Sequence, residues 1–280
     1  VSDEDVVICT TPGYQVLPTM AKWLKGKIYE VPLTKQNQYL PNLESIPVEI
    51  YQKTKIFLVN YPNSPTGAIA TKEFYAQLLK KAKQYGFLIV NDCVYGPLTY
   101  HTEPLSIFSI PDSENYCIEV HSLSKAFNMT GFRIGFMVAN EKLMHILKEV
   151  KDNMDSGQYI PIQYAAMKAF ENETQTLPQL KEHYYRRLTQ VASILNKHHL
   201  HCKVPEATFY LYVQIPSTFK TAEDFSLYLL YQAGIYTIPW DEAEPAVRFA
   251  MTYSIQTTEH DFLVELDRRL SHLSFFEKKE

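Results

Sequence analysis

The chain has 280 residues, 46% of them hydrophobic, and its 31 acidic residues against 27 basic ones leave a formal net charge of −4. That is enough apolar material for one large or two modest cores, and it offers no basic footprint for nucleic acid or an anionic membrane surface. Apolar runs such as 55–59 and 87–90 are far too short to span a bilayer, and no signal-peptide pattern is present. Cys9, Cys93, Cys117 and Cys202 are scattered without metal-type spacing, which suits reduced thiols in a cytoplasmic protein.

In chain order, the hydrophobic pattern predicts strands at 6–10, 27–31, 56–60, 87–92, 117–122 and 134–138. Between the third and fourth, Thr71 caps a helix whose Phe74, Leu78, Leu79 and Ala82 share one face, and Gly86 stops it. Strand, helix and strand in that order make a βαβ unit, so the expected class is α/β, a mostly parallel sheet with helices on both faces. Further helices are predicted at 141–152 and 160–170, followed by the polar stretch 171–174 and a long helix reaching about 198. The boundary is expected there: 1–173 as the large domain, 174–280 as the long helix plus a smaller C-terminal α+β domain. Strands near 209–214 and 247–253 and helices near 222–232 and 259–273 make up that second unit.

Chemistry-bearing residues punctuate this pattern. Ser122-Leu123-Ser124-Lys125 is followed by Gly131-Phe132-Arg133-Ile134-Gly135. A lysine amine that can shed its proton forms a Schiff base with an aldehyde. Hydroxyls and a planar guanidinium match phosphate oxygens, and the glycines let backbone approach closely. Asp92 ends the apolar strand 87–92, with Tyr95 just beyond, at the end of a parallel strand where open α/β sheets hold ligands. Alone, Asp92 also suits a helix N-cap and Tyr95 a packing position; the spacing to Lys125 favours the site. Asn60-Tyr61-Pro62-Asn63-Ser64-Pro65-Thr66-Gly67 is a rigid turn directly after a strand, and Pro12-Gly13-Tyr14 another. Arg248 stands alone among apolar neighbours in 246–251. His198, His199 and His201 cluster at a helix end, where solvated imidazoles are the expectation, and no metal is assigned.

Together these segments resemble, from Val6 to about Leu270, the pyridoxal-phosphate enzymes of the aspartate aminotransferase superfamily, class I/II and fold type I. The resemblance implies that Lys125 carries the cofactor, that Asp92 pairs with its pyridine nitrogen and keeps it protonated, and that Tyr95 hydrogen-bonds the ring oxygen. It implies phosphate anchoring by Ser122, Ser124 and Arg133, ring stacking by Tyr14, and capture of the substrate α-carboxylate by Arg248. In the family's Asn-Pro-x-Asn-Pro-Thr-Gly loop the asparagine before Pro-Thr-Gly meets the ring oxygen and the substrate. Ser64 stands at that position here and Asn63 one place earlier, so either Ser64 does a weaker version of the job or Asn63 reaches round. The family also carries an N-terminal stretch with a glycine-containing phosphate loop ahead of the segment opening at Val1, so the sequence reads as a fragment, a processed chain or one whose beginning is not recorded.

The expected activity is transfer of an amino group between an amino acid and a 2-oxo acid such as 2-oxoglutarate, by a ping-pong cycle in a cytoplasmic homodimer. The phrasing of 122–133, 155–158 and 238–241 looks most like LL-diaminopimelate aminotransferases and neighbouring aspartate-type enzymes, which implies lysine precursor synthesis. Three alternatives stay open: a β- or C–S lyase of the same fold, the aminotransferase-like effector half of a transcriptional regulator, and a cofactor-free scaffold.

Overall fold

Six strands lie side by side in the order β2-β1-β3-β4-β5-β6 in this computed structural model, which describes residues 2–242, 244–256 and 258–274. They are β1 (Val6–Thr11), β2 (Lys27–Pro32), β3 (Thr54–Val59), β4 (Leu88–Asp92), β5 (Cys117–Ser122) and β6 (Gly135–Val138). The first five run parallel and β6 runs antiparallel to β5, with Ser122 opposite Gly135 and His121 opposite Phe136. β1 is buried at all six positions, β3 at four of six and β4 at three of five with the other two half-buried, which is why 56–59 and 87–90 read as continuous apolar runs without alternation.

Helices connect these strands: α1 (Val16–Trp23), α2 (Val48–Lys53), α3 (Lys72–Tyr85) and the single turn α4 (Leu123–Ala126). Thr71 caps α3 through Phe74 N–H, and Gly86 ends it in the left-handed conformation (φ 74°) that a side chain would strain. The face carrying Phe74, Leu78, Leu79 and Ala82 packs into one core cluster with Val6, Ile8, Phe57, Val59 and Ile89.

Next come α5 (Glu141–Asp152), α6 (Ile160–Glu171) and the long α7 (Glu173–Lys197), with only Asn172 separating the last two. The polar stretch therefore shrinks to one residue. The last part of the described chain holds β7 (Tyr210–Gln214), α8 (Ala222–Ala233), β8 (Ile238–Trp240), β9 (Ala246–Ala250) and α9 (Glu259–Ser271). Its sheet, in the order β7-β9-β8, is fully antiparallel. A second core cluster joins α7 (Tyr184, Leu188, Leu195), β7, α8 and α9 to Tyr95 and Leu98, the residues that follow β4. The loop after β4 is thus packed against the antiparallel sheet.

The short elements α1, α2, α4 and β8 escaped the pattern reading. α1 is eight residues long with a proline within it and buries only Pro18 and Ala21, α2 and α4 are six and four residues long, and β8 is three. β9 stops at Ala250 and not at 253, because Met251 and Thr252 turn away. Among the described residues no helix is long and apolar enough to cross a membrane.

Candidate active site

Parallel strands that share a direction put their C-terminal ends on one edge, and polar residues gather there. Asn60 follows β3, Asp92 ends β4, and Ser122 ends β5 and caps α4. Asn60 ties this edge together: its side-chain amide donates to Asp92 O (2.8 Å), and its side-chain oxygen accepts from Ser64 N (2.8 Å).

Asp92 is 8% exposed, yet among the described residues its carboxyl has a single, long hydrogen bond, from Val94 N–H to Oδ1 (3.4 Å). Burial pushes its carboxyl up to about 6, opposed by the Val94 hydrogen bond and by the charges of His121 and Lys125. A buried carboxylate with so little inside the protein to satisfy it is built to receive a donor from outside. With Thr10, Tyr14 and Asn60 it lines a small cavity of about 20 Å³.

Lys125 lies on α4, half-buried, with its Nζ 5.9 Å from the centre of the Phe209 ring and no hydrogen bond or ion pair among the described residues. Ser122 Oγ accepts from Ser124 N–H (3.1 Å), and Ser124 is buried. Arg133 takes the left-handed conformation (φ 55°) after the turn at 130–132; one guanidinium nitrogen donates to Thr130 O (3.1 Å), and the rest of the fork is exposed.

Arg248 sits in the middle of β9, opposite Tyr212 of β7. Its guanidinium lies 4.1 Å from the centre of the Tyr210 ring, and its Nε is buried without a hydrogen-bond partner among the described residues. Tyr95, in turn, donates its hydroxyl to that of Tyr210 (3.1 Å). Burial and then the Tyr210 phenol hold the Tyr95 hydroxyl well above its ordinary range, with Arg248 opposing. Tyr210 therefore bridges the loop beyond Asp92 to the strand of Arg248.

Two sequence-predicted residues lie differently from the rest. Asn63 is fully buried, with its oxygen taken by Thr66 N–H (3.2 Å) and Thr66 Oγ1 (2.6 Å) and its amide by Pro12 O (3.4 Å). Its side chain staples the turn to the segment carrying Tyr14, which leaves Ser64, buried beside Asn60, as the polar residue of the loop nearer Asp92 through that shared bond. Tyr14 is 58% exposed at the mouth of the small cavity. Of the clustered histidines, His198 pairs with Asp267 (2.7 Å) at the end of α7.

Residues without a role in the sequence reading complete the edge: Asn60, Tyr210, Phe209 and the pair Glu119–His121. A polar residue ending a buried strand is a signal that Asn60 did carry; Tyr210 is one of twenty tyrosines and carried none. A cavity of about 610 Å³ is lined by residues including Lys35, Tyr39, Gly67, Lys203 and Tyr212 and by none of Asp92, Lys125, Arg133 or Arg248.

The profile of the aminotransferase class I and II family matches residues 1–261. The chain belongs to that family. It is 43% identical to the LL-diaminopimelate aminotransferase of Methanocaldococcus jannaschii over 95% of this chain and 67% of that protein. For the enzyme of the same name from Methanococcus maripaludis the figures are 39%, 97% and 68%. The chain thus spans about two thirds of the length of these relatives. Among solved structures, apo BacF from Bacillus subtilis superposes with a TM-score of 0.91 at 30% identity, over 96% of this chain and 72% of that one. An aminotransferase from Staphylococcus aureus superposes with 0.87 at 28%, over 97% and 71%. The protein is accordingly a pyridoxal-phosphate-dependent aminotransferase acting on small amino and keto acids. The donor set of this aminotransferase fits that cofactor: a buried, under-satisfied carboxyl, an uncommitted lysine amine, and an exposed guanidinium fork after a hydroxyl-bearing turn.

Proposed function

We propose that this aminotransferase takes LL-diaminopimelate as amino donor and 2-oxoglutarate as acceptor, in the synthesis of lysine precursors, and that the residues gathered at the strand ends are its active site. The observation that carries the site reading is that Tyr95, three residues beyond the under-satisfied carboxyl of Asp92, hydrogen-bonds Tyr210, whose ring lies against the guanidinium of Arg248. The substrate rests on the two relatives named above and on the phrasing at 122–133, 155–158 and 238–241.

Pyridoxal phosphate, when bound, supplies an aldehyde that reacts with amines and a protonated ring that accepts an electron pair. The chain's own residues do the rest. Asp92 would hold the ring nitrogen protonated, and Tyr95 would turn its single hydroxyl proton from Tyr210 to the ring oxygen. Ser122, Ser124 and Arg133 grip the phosphate, Ser64 stands by the ring oxygen in the place of the family asparagine, Asn63 braces that loop, and Tyr14 covers the ring face. Arg248 receives the substrate α-carboxylate, with Tyr210 backing its guanidinium. Lys125 Nζ would act as the base for the proton on the substrate α-carbon and, once protonated, as the acid that gives it back.

The same reading divides the chain near residue 173, where α7 starts, into a cofactor-binding unit and a smaller substrate-side unit. Two helices, α1 with Met20 and Trp23 and α6 with Tyr164 and Met167, expose apolar side chains suited to a homodimer interface, and the setting is the cytoplasm.

The test is to load the purified protein with pyridoxal phosphate and follow glutamate formation from 2-oxoglutarate with LL-diaminopimelate, aspartate and a panel of other donors. Glutamate formed fastest with LL-diaminopimelate supports the reading. Glutamate formed only with other donors overturns the substrate, and pyruvate or sulfide released without any 2-oxo acid points to a lyase.

A further inference from the structure

Tyr95 and Tyr210 bring two hydroxyl protons to a single hydrogen bond. Their oxygens lie 3.1 Å apart, the residues are 4% and 8% exposed, and neither hydroxyl has another hydrogen bond among the described residues. One proton closes the shared bond. The other is left over inside the protein, where a donor without an acceptor is costly. Rotation about the two C–O bonds decides which residue keeps it. If Tyr95 donates to Tyr210 the spare proton is on Tyr210; if Tyr210 donates to Tyr95 it is on Tyr95.

The place of Tyr210 is fixed from several sides. Thr208, two residues ahead, is fully buried in a left-handed backbone conformation (φ 71°), which a β-branched residue adopts only under constraint. Its carbonyl accepts from the Tyr100 hydroxyl and its Oγ1 from Tyr210 N–H (3.3 Å), while Tyr100 N–H donates to Glu206 O (3.0 Å) and Thr99 forms a β-bridge with Ala207. Thr99 and Tyr100 belong to the same loop as Tyr95, so the turn that delivers Tyr210 is pinned to the segment that carries its partner. The rings interlock as well. Phe209 meets Tyr95 edge-on (centroids 5.5 Å apart, planes 79° apart) and Tyr210 likewise (4.8 Å, 72°), and the Tyr210 ring also bears the Arg248 guanidinium.

We infer that Tyr210 is a positioning residue for Tyr95: with the cofactor bound, the Tyr210 hydroxyl donates to the Tyr95 oxygen, which holds that phenol in place and frees its own proton for the ring oxygen. The inference rests on the reading of Tyr95 as the donor to that oxygen and adds the residue that makes the donation possible. In this arrangement both protons of the pair have acceptors. A hydroxyl that accepts one hydrogen bond also becomes a stronger donor of its own, so Tyr210 strengthens the bond that it does not itself make. The charged groups that act on Tyr95 are Arg248 of β9 and Asp92 at the end of β4, and the substitutions below leave both unaltered.

The experiment compares the wild type, Tyr95→Phe, Tyr210→Phe and the double variant, each loaded with pyridoxal phosphate, by the pH midpoint of the visible absorption band of the bound cofactor. A donor to the ring oxygen draws off negative charge that otherwise holds a proton on the adjoining nitrogen of the lysine link, so a weaker donor raises the midpoint. Phenylalanine keeps both rings and removes only the hydroxyls. We expect Tyr95→Phe to raise the midpoint by about one pH unit and Tyr210→Phe to raise it by roughly a third of that. The double variant should match Tyr95→Phe alone, because Tyr210 acts through Tyr95. A Tyr210→Phe midpoint equal to the wild type, beside a shifted Tyr95→Phe, overturns the inference, and so does a double variant in which the two shifts add. An unshifted Tyr95→Phe instead removes the reading of Tyr95 as the ring-oxygen donor, and the inference falls with it.

Discussion

Asp92 and Glu119 are buried carboxyls on adjacent strands of one sheet, and they have been treated in opposite ways. Glu119 receives donors from a backbone amide, a serine, an asparagine and a histidine, and these outweigh its burial and hold its carboxyl below the usual range. Asp92 has one long hydrogen bond and is pushed up to about 6. The same contrast separates two arginines. Arg187 of α7 donates through its terminal nitrogens to Met251 O (3.0 Å), Tyr253 O (2.8 Å) and Glu259 (3.2 Å), whereas Arg248 lies against the Tyr210 ring with a buried Nε that has no hydrogen-bond partner among the described residues, as the Arg187 Nε also has none. Glu119 is satisfied by the protein's own donors, whereas the carboxyl of Asp92 and the Nε of Arg248 are not, and under the proposed function a ligand's own donors and acceptors would complete them.

The sharpest way to break this distinction is at Lys125. Lys125→Ala should lower kcat by roughly 10²–10⁴-fold while leaving the far-ultraviolet circular dichroism and the urea midpoint unchanged, since its amine bonds to nothing among the described residues. A variant that unfolds would place Lys125 with the saturated group.

Asp92→Asn comes next, and its effect on the apoprotein has a definite sign. Because the folded-state carboxyl is raised above 3.8, the folded protein holds its proton longer than the unfolded chain, so stability falls as pH rises from 3.8 to about 6 and is flat above that. Removing the charge should therefore stabilise the apoprotein at pH 8 by on the order of 3 kcal/mol and do nothing below the window, while weakening cofactor binding. Urea denaturation at the two pH values checks this, and equal curves at pH 8 would remove the claim that Asp92 is strained by burial.

Arg248→Ala should raise KM for the amino acid by roughly 10–100-fold with a smaller effect on kcat, read from steady-state kinetics. The smallest effect is at the other pole of the comparison. Glu119→Gln leaves a donor amide facing donors and should destabilise the protein by about 1–2 kcal/mol at neutral pH. Its contribution is present above the ordinary carboxylate value of 4.5 and disappears as pH falls through the lower folded-state value, so wild type and variant converge in acid.

Much of this was legible in the sequence because β1, β3 and β4 are buried on both faces and read as unbroken apolar runs, and because Thr71 and Gly86 mark the ends of α3 in their own chemistry. The Ser-Leu-Ser-Lys turn and the aspartate ending β4 were legible too, since strand ends and helix caps place them without any tertiary information. What could not be read was pairing across long separations. Tyr210 meets Tyr95 over 115 residues of chain, and neither tyrosine differs locally from its neighbours. Asn63 looked like a candidate for the ring because a turn asparagine and a ligand-binding one have the same side chain; only its bonds to Thr66 and Pro12 show how it is used. α1 was hidden by its proline and exposed apolar residues.

The central claim is that the amine of Lys125 is the one that meets the aldehyde of pyridoxal phosphate. Reduction of the loaded protein with borohydride, followed by proteolysis and mass spectrometry, should find the pyridoxyl group on the peptide bearing Lys125 and on no other. Label on a different lysine, or undiminished label in Lys125→Ala, would contradict it.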